Sequence, residues 1–203
     1  KQNEINGFYD KVKLDSSQLK EIILDVRAKK INGINVTVPF KNIVIPYLDT
    51  LSEEAEKTQS VNTIYLKKDK VIGHNTDIQG FEIAMKNTKF DLKNKKVFIL
   101  GAGGVVPSII YALNKMHVSK ILISNRTLSK VNQIKNIFSD IEIINWLELP
   151  QFDVIINATS LGLKREDNID LDFSTIGKGK LFYDVIYNPK ETNFLKIGKQ
   201  LGN

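Results

Sequence analysis

Apolar residues Leu19, Ile22, Ile23 and Val26 recur at the spacing that places them on one face of a helix. Asp15 or Ser16 can cap its start and Gly33 follows its end, so the pattern predicts a helix over 15–29. Residues 34–38 then alternate apolar and polar, which predicts a strand closed by Pro39. A short helix is expected next, with Pro39 in its first turn and Pro46 ending or kinking it. Thr50 and Glu53 have capping-box spacing for a helix over about 51–58. Residues 61–66 and 71–74 flank Lys67-Lys68-Asp69-Lys70 as the arms of a hairpin. Thr76 and Gln79 repeat the capping-box spacing and open a helix over 77–87, with Asp77 also able to cap it.

The polar stretch 88–95 reads as a linker, and from Lys96 the pattern changes. Residues 97–100 are an unbroken apolar run, the mark of a strand buried on both faces. Residues 121–123, 153–157 and 181–185 repeat it, alternating with helical stretches that run to about 114, over 128–138 and over 190–201. Strands alternating with helices imply a doubly wound parallel sheet. The chain is therefore read as α/β, with one domain over 1–87 and a second over 88–203.

Composition narrows the chemistry. Of 203 residues, 42% are apolar and 26% charged, enough to build a core and too apolar for disorder. Cysteine is absent, which removes disulfides, thiol catalysis and Cys-based metal sites and fits a reducing compartment. No apolar run reaches the roughly 20 residues of a membrane span, and the opening residues lack a signal-peptide core. A cytoplasmic location without a membrane partner is the resulting expectation. The net charge of +6 is carried by lysines, with only Arg27, Arg126 and Arg165 as arginines. Arginine is the residue suited to reading bases and gripping phosphates bidentately, so no nucleic-acid partner is expected. His74 and His117 are the only histidines, and they are too few and too separated for a metal site.

Gly101-Ala102-Gly103-Gly104-Val105 lies between a predicted buried strand and a predicted helix. Glycines there permit a tight turn and let a diphosphate approach backbone N–H groups at a helix N-terminus. The third small position of this fingerprint falls near Val106, whose size implies slightly wider helix–sheet packing, and Pro107 is tolerable in the first turn. A site for NAD usually carries Asp or Glu about 20 residues on, at the ribose hydroxyl. Here Asn125-Arg126-Thr127 stands there instead, with Lys130 one turn later. A carboxylate would repel a 2′-phosphate, whereas Arg126 can hold one, so the expected cofactor is NADP(H).

In the first part, Asn35 and Thr37 share a strand face, Lys41 follows, Asn62 lies in the hairpin and Asn75-Thr76-Asp77 ends it. Taken singly, each is an ordinary surface or capping residue; together, at strand ends, they can form a site for a polyhydroxy ligand. Lys41, in the first turn of its expected helix, would meet an unfavourable helix dipole, with Asp77 acting the other way.

These segments carry a family resemblance. Asn35-Val36-Thr37-Val38-Pro39-Phe40-Lys41, Val61-Asn62-Thr63, Asn75-Thr76-Asp77, the glycine turn, Asn125-Arg126-Thr127, Asn157-Ala158-Thr159-Ser160 and 183–189 (Tyr-Asp-Val-Ile-Tyr-Asn-Pro) follow the order seen in shikimate dehydrogenases. The chain resembles that family over nearly its whole length. The resemblance implies an N-terminal α/β substrate domain facing a Rossmann-type NADP domain, and interconversion of 3-dehydroshikimate and shikimate in aromatic amino-acid biosynthesis. It implies that Lys41 and Asp77 are the catalytic pair. Thr37 and Asn62 would contact the substrate's ring substituents or carboxylate, Asn35 would support that pocket, and Tyr187 would lie beside it. Glu53 would fall near the nicotinamide, with Thr159 and Val185 lining the cofactor side. The resemblance leaves oligomeric state at monomer or homodimer.

Two family features have no counterpart in these residues: an early Ser-x-Ser that grips the substrate carboxylate, and a late glycine-containing segment with a substrate-binding Gln. A chain lacking them is expected to bind substrate poorly. Two other readings stand beside the main one. An NAD-using quinate/shikimate dehydrogenase is opposed by Arg126, and a non-catalytic NADP-binding sensor by the retention of Lys41 and Asp77.

Overall fold

The computed structural model describes residues 6–203, which form two sheets flanked by helices. A 3-10 turn over Ser16–Gln18 leads into helix α1, Leu19–Arg27, where the apolar spacing anticipated a helix. The start of that 3-10 turn is closed by Gln18, whose side-chain oxygen accepts the Asp15 N–H at 2.9 Å.

Strand β1, Gly33–Asn35, is shorter than its alternation implies. One further ladder bond, Val36 N–H to the Asn62 carbonyl at 2.8 Å, follows it before the Thr37 carbonyl turns to accept the Phe40 N–H. Thr37 therefore lies beyond the strand and does not share a strand face with Asn35. The helix expected after Pro39 is also absent. Residues 38–44 run through turns into a 3-10 turn, Ile45–Tyr47, with Pro46 at its start. Two prolines remove two backbone donors from this short stretch, and β-branched Ile43, Val44 and Ile45 add no helical preference. With no helix there, the dipole argument about Lys41 falls.

Strand β2, Thr50–Leu51, precedes helix α2, Glu53–Thr58. Ser52 is the cap of α2, its hydroxyl accepting the Ala55 N–H at 3.2 Å, and Thr50 pairs with Ile72 in the sheet instead of capping. Strands β3, Thr63–Lys67, and β4, Lys70–His74, form the anticipated hairpin. Its two-residue turn places Lys68 and Asp69 at φ 49° and 58°, the left-handed pair that matches the twist of the arms. The sheet runs β1-β3-β4-β2, antiparallel except for β2 beside β4. Ile23 and Val26 of α1 bury against Val61, Ile64 and Val71 of the hairpin segment.

Asp49 staples this half. It accepts from Arg27 Nη2 at 2.8 Å and from the Val71 N–H at 2.7 Å. The Arg27 hydrogen bond, helped by the Val71 N–H, holds the Asp49 carboxyl below the usual range. A carboxyl depressed in the folded state adds stability above its ordinary pKa of about 3.9 and loses it as pH falls through the lower folded value. Asp49→Asn should therefore melt below the parent near neutrality, and the gap should narrow as pH falls below about 3.9. Thermal midpoints measured across that range check this, and a gap that widens in acid contradicts it.

Helix α3, Asp77–Thr88, carries the chain to the second sheet, whose strands are β5 (Lys96–Leu100), β6 (Lys120–Ser124), β7 (Glu142–Ile143), β8 (Val154–Asn157) and β9 (Leu181–Asp184). Helices α4 (Val106–Lys115) and α5 (Leu128–Ile137) connect the first three strands, and α6 (Asn193–Gln200) follows the last. All five strands are parallel in the order β7-β6-β5-β8-β9. That is a doubly wound sheet whose winding reverses between β5 and β8. The two-residue β7 is too short to leave an alternation in the sequence. Ile78, Phe81 and Met85 of α3 share one core with Val97, Ile99, Ile109 and Leu113, so α3 packs on the parallel sheet. The opposite face is aromatic, with Phe152, Phe173, Phe182 and Phe194 in contact under α6. Among the described residues no helix is long and apolar enough to cross a membrane.

Candidate active site

The register of the parallel sheet assembles a crevice. Leu100 pairs with Ser124 and with Asn157, and Asn157 pairs with Asp184. The residues that follow, Gly101, Asn125, Ala158 and Val185, consequently emerge side by side at the carboxyl edge. The winding reverses there, where open α/β sheets bind ligands. Gly101 has φ 111°, and a methyl group placed on it would lie 2.6 Å from the Ala158 carbonyl oxygen. Only glycine lets the chain leave β5 so close to β8. Gly103 and Gly104 are exposed, Ala102 and Val105 half-buried, and α4 begins at Val106 with Pro107 in its first turn. Val106 is fully buried, so the larger third position is absorbed by the core.

Arg126, Thr127 and Lys130 are exposed at the start of α5, beside this turn, and Asn125 donates to the Thr127 carbonyl at 2.9 Å. A guanidinium, an ammonium and a helix N-terminus thus lie within one short segment, a donor set suited to a phosphate. Thr159 is held by Asn157, whose Oδ1 accepts both its N–H and its hydroxyl at 3.1 and 2.7 Å. The same fully buried Asn157 donates to Asp184, tying the ends of β8 and β9 together. The crevice fits a dinucleotide: a glycine turn whose first position cannot bear a side chain, a helix start behind it, and a basic segment on its flank.

The first half supplies a polar cluster. Lys41 Nζ donates to Asp77 Oδ2 at 2.6 Å, and Asn62 Nδ2 donates to Asp77 Oδ1 at 2.8 Å. Asn62 also receives the Thr76 N–H at 2.9 Å. The capping roles expected at the start of α3 are therefore filled otherwise. Thr76 makes no cap bond, the Asp77 carboxylate is occupied by Lys41 and Asn62, and Asn75 Oδ1 takes the Asp77 N–H at 3.0 Å. Lys41 lies against the glycine turn, since a methyl on Gly104 would sit 3.6 Å from its Cδ. Asn35 is exposed at the end of β1 and Thr37 in the turn after it, Glu53 is exposed at the start of α2, and Tyr187 is 89% exposed just beyond β9. None of these four joins the Lys41–Asp77–Asn62 cluster by a hydrogen bond.

Known proteins share the sequence and the fold. Residues 1–64 match the shikimate dehydrogenase substrate binding domain, and residues 82–182 match the shikimate / quinate 5-dehydrogenase family. A shikimate dehydrogenase (NADP(+)) of Pelagibacter ubique is 55% identical over 202 residues, covering 100% of this chain and 76% of that protein. The chain belongs to the shikimate dehydrogenase family. The crystal structure of the shikimate dehydrogenase of Aquifex aeolicus superposes with a TM-score of 0.84 at 38% identity, over 93% of this chain and 70% of that one. A shikimate dehydrogenase crystallised in complex with NADP+ gives a TM-score of 0.81 at 31% identity, over 93% and 69%.

For a shikimate dehydrogenase, the sequence motifs locate the cluster but not what holds it. Asn75, Ser60 and Ser108 are buried polar residues between the two halves. Asn75 was visible only as part of a motif, and Ser108 sits in an apolar helical stretch where a serine gives no signal.

Proposed function

We infer that this chain catalyses the reversible NADPH-dependent reduction of 3-dehydroshikimate to shikimate, an oxidoreductase reaction at a CH–OH group in the shikimate pathway. The observation that carries the reading is the 2.6 Å Lys41–Asp77 contact placed against the glycine turn. We divide the work between residues 1–87, which bind substrate and hold the catalytic pair, and residues 88–203, which bind the cofactor. Gly101 to Val105 would cradle the diphosphate, and Asn125, Arg126, Thr127 and Lys130 would take the 2′-phosphate. Glu53, Thr159 and Val185 would line the nicotinamide side.

The cofactor, when bound, supplies the hydride. As the ketone carbon is reduced its oxygen gains negative charge, which the Lys41 ammonium would stabilise and then protonate. Asp77 would keep Nζ aimed at that oxygen, and Asn62, itself on Asp77, would donate to a neighbouring substrate hydroxyl. Asn35, Thr37 and Tyr187 would complete the pocket. In the reverse direction Lys41, having lost its proton, would accept the one on the substrate hydroxyl. We place the enzyme in the cytoplasm, as a monomer or homodimer. Its three arginines support a reading without nucleic acid.

NADPH oxidation with 3-dehydroshikimate tests the activity, and parallel turnover with NADH tests the cofactor. Turnover is expected with NADPH in preference to NADH. Arg126→Ala should lower kcat/KM for NADPH about 10- to 100-fold while barely changing that for NADH, the loss of one charged phosphate contact. A variant that weakens both cofactors equally would remove Arg126 from phosphate recognition. An NAD-using enzyme or an inactive sensor is not favoured, because the basic segment and the catalytic pair are both in place.

A further inference from the structure

Between the two halves lies a buried polar node that the catalytic reading does not use. Asn75 is 2% exposed, Ser60 is 3%, and Thr58 and Ser108 are fully buried. They come from four places in the fold: the end of α2, the segment after it, the segment after β4, and the first turn of the dinucleotide helix α4. Asn75 Nδ2 lies 2.9 Å from Ser108 Oγ, 3.0 Å from the Ser60 carbonyl and 3.1 Å from Thr58 Oγ1. Thr58 spends its own proton on the Glu54 carbonyl at 2.6 Å, which leaves its lone pairs free to accept. On its other side Asn75 Oδ1 accepts the N–H of Asp77. A second link runs parallel, with Ser60 Oγ donating to the Gly104 carbonyl at 3.2 Å.

An apolar contact tolerates sliding, whereas a buried carboxamide surrounded by fixed acceptors is satisfied in one register only. This node binds the backbone of Asp77 on one side and the helix behind the glycine turn on the other. We propose that Asn75 and Ser108 are a positioning pair. They set the distance between the Lys41–Asp77 pair and the dinucleotide turn, and so the alignment of the ketone with the hydride donor. The inference rests on the catalytic reading given above.

Donor counting identifies the informative variant. The Asn75 amide has two hydrogens for three acceptors, so Ser108→Ala leaves both satisfied by Ser60 and Thr58 and orphans no buried donor. Its fold should persist, with a thermal midpoint close to the parent's, while the tie to α4 is lost. In the full-length enzyme, Ser108→Ala should lower kcat about tenfold, since misplacement of about 1 Å can cost as much as 10²-fold. KM for NADPH should stay within about twofold, because uniform binding is untouched. The primary deuterium isotope effect with 4-deuterated NADPH should rise as hydride transfer becomes more limiting. Without cofactor, the Asp77 amide should exchange its hydrogen faster than in the parent. Asn75→Ala should enlarge each change if it folds. If Ser108→Ala keeps the parental kcat, isotope effect and Asp77 exchange rate, the proposal is overturned whatever Asn75→Ala does. Lys41→Met, assayed alongside, separates the two levels. An active Lys41→Met sinks the catalytic reading itself, and an inactive one with unaltered Ser108→Ala sinks only the positioning role.

Discussion

Lys41→Met should reduce turnover of 3-dehydroshikimate by about 10³-fold or more while leaving the affinity for NADPH near that of the parent. Positioned acid–base catalysis contributes typically 10²- to 10⁴-fold, and the ammonium also stabilises charge developing on the carbonyl oxygen, so both contributions are lost together. Methionine suits the test because it retains an unbranched stem where the lysine chain packs on Gly104. The abandoned carboxylate is not stranded: Asp77 keeps the Asn62 amide at 2.8 Å, and its side chain is 22% exposed. Removing the lysine should therefore leave the fold intact. Initial-rate kinetics together with quenching or enhancement of bound NADPH fluorescence separate the two effects. A variant that loses cofactor affinity in step with turnover would show that Lys41 serves binding and not the chemical step.

The ease of finding that pair in the sequence contrasts with what surrounds it. The parallel sheet announced itself because its central strands are buried on both faces: Val97, Phe98, Ile99 and Leu100 form a run that neither a surface helix nor a half-exposed strand would carry. The hairpin was equally legible, with its turn residues set between two alternating arms. The segment from Thr37 to Tyr47 was not. Pro39 can open a helix and Pro46 end one, yet the two prolines and a row of β-branched side chains leave turns in its place. The capping boxes failed for a related reason. Thr50 and Thr76 have the right spacing, but sheet pairing claims the first and Asn62 the second. Long-range partners decided both, and spacing along the chain carries no information about those. Asn62, Lys41 and Asp77 are 15 to 36 residues apart in sequence, so their meeting was open to a family resemblance but not to periodicity.

Two glycines of the same turn should respond differently to the same substitution, because they are glycines for different reasons. Gly101→Ala should destabilise the protein by about 2–6 kcal/mol, combining a left-handed backbone strain of about 1–3 kcal/mol with a similar cost for overpacking. The crowding is unusually rigid. A methyl at 101 would lie 2.6 Å from the Ala158 carbonyl oxygen, 2.7 Å from its carbon and 3.0 Å from the Thr159 nitrogen. Those are backbone atoms of the residues just past β8, a strand held between β5 and β9, and they cannot turn aside as a side chain would. Against a typical domain stability of about 5–15 kcal/mol, this leaves a marginal fold. At Gly103 the same methyl meets only the Ala158 oxygen, at 3.7 Å, an ordinary contact. Gly103→Ala should thus fold and melt like the parent but lose most of its affinity for NADPH, because the methyl stands where a diphosphate must approach the backbone. Urea unfolding midpoints and NADPH titrations of the two variants test both halves of the argument. Equal stability of Gly101→Ala and the parent would mean that the turn can open away from β8. Undiminished NADPH binding by Gly103→Ala would move the diphosphate off this turn.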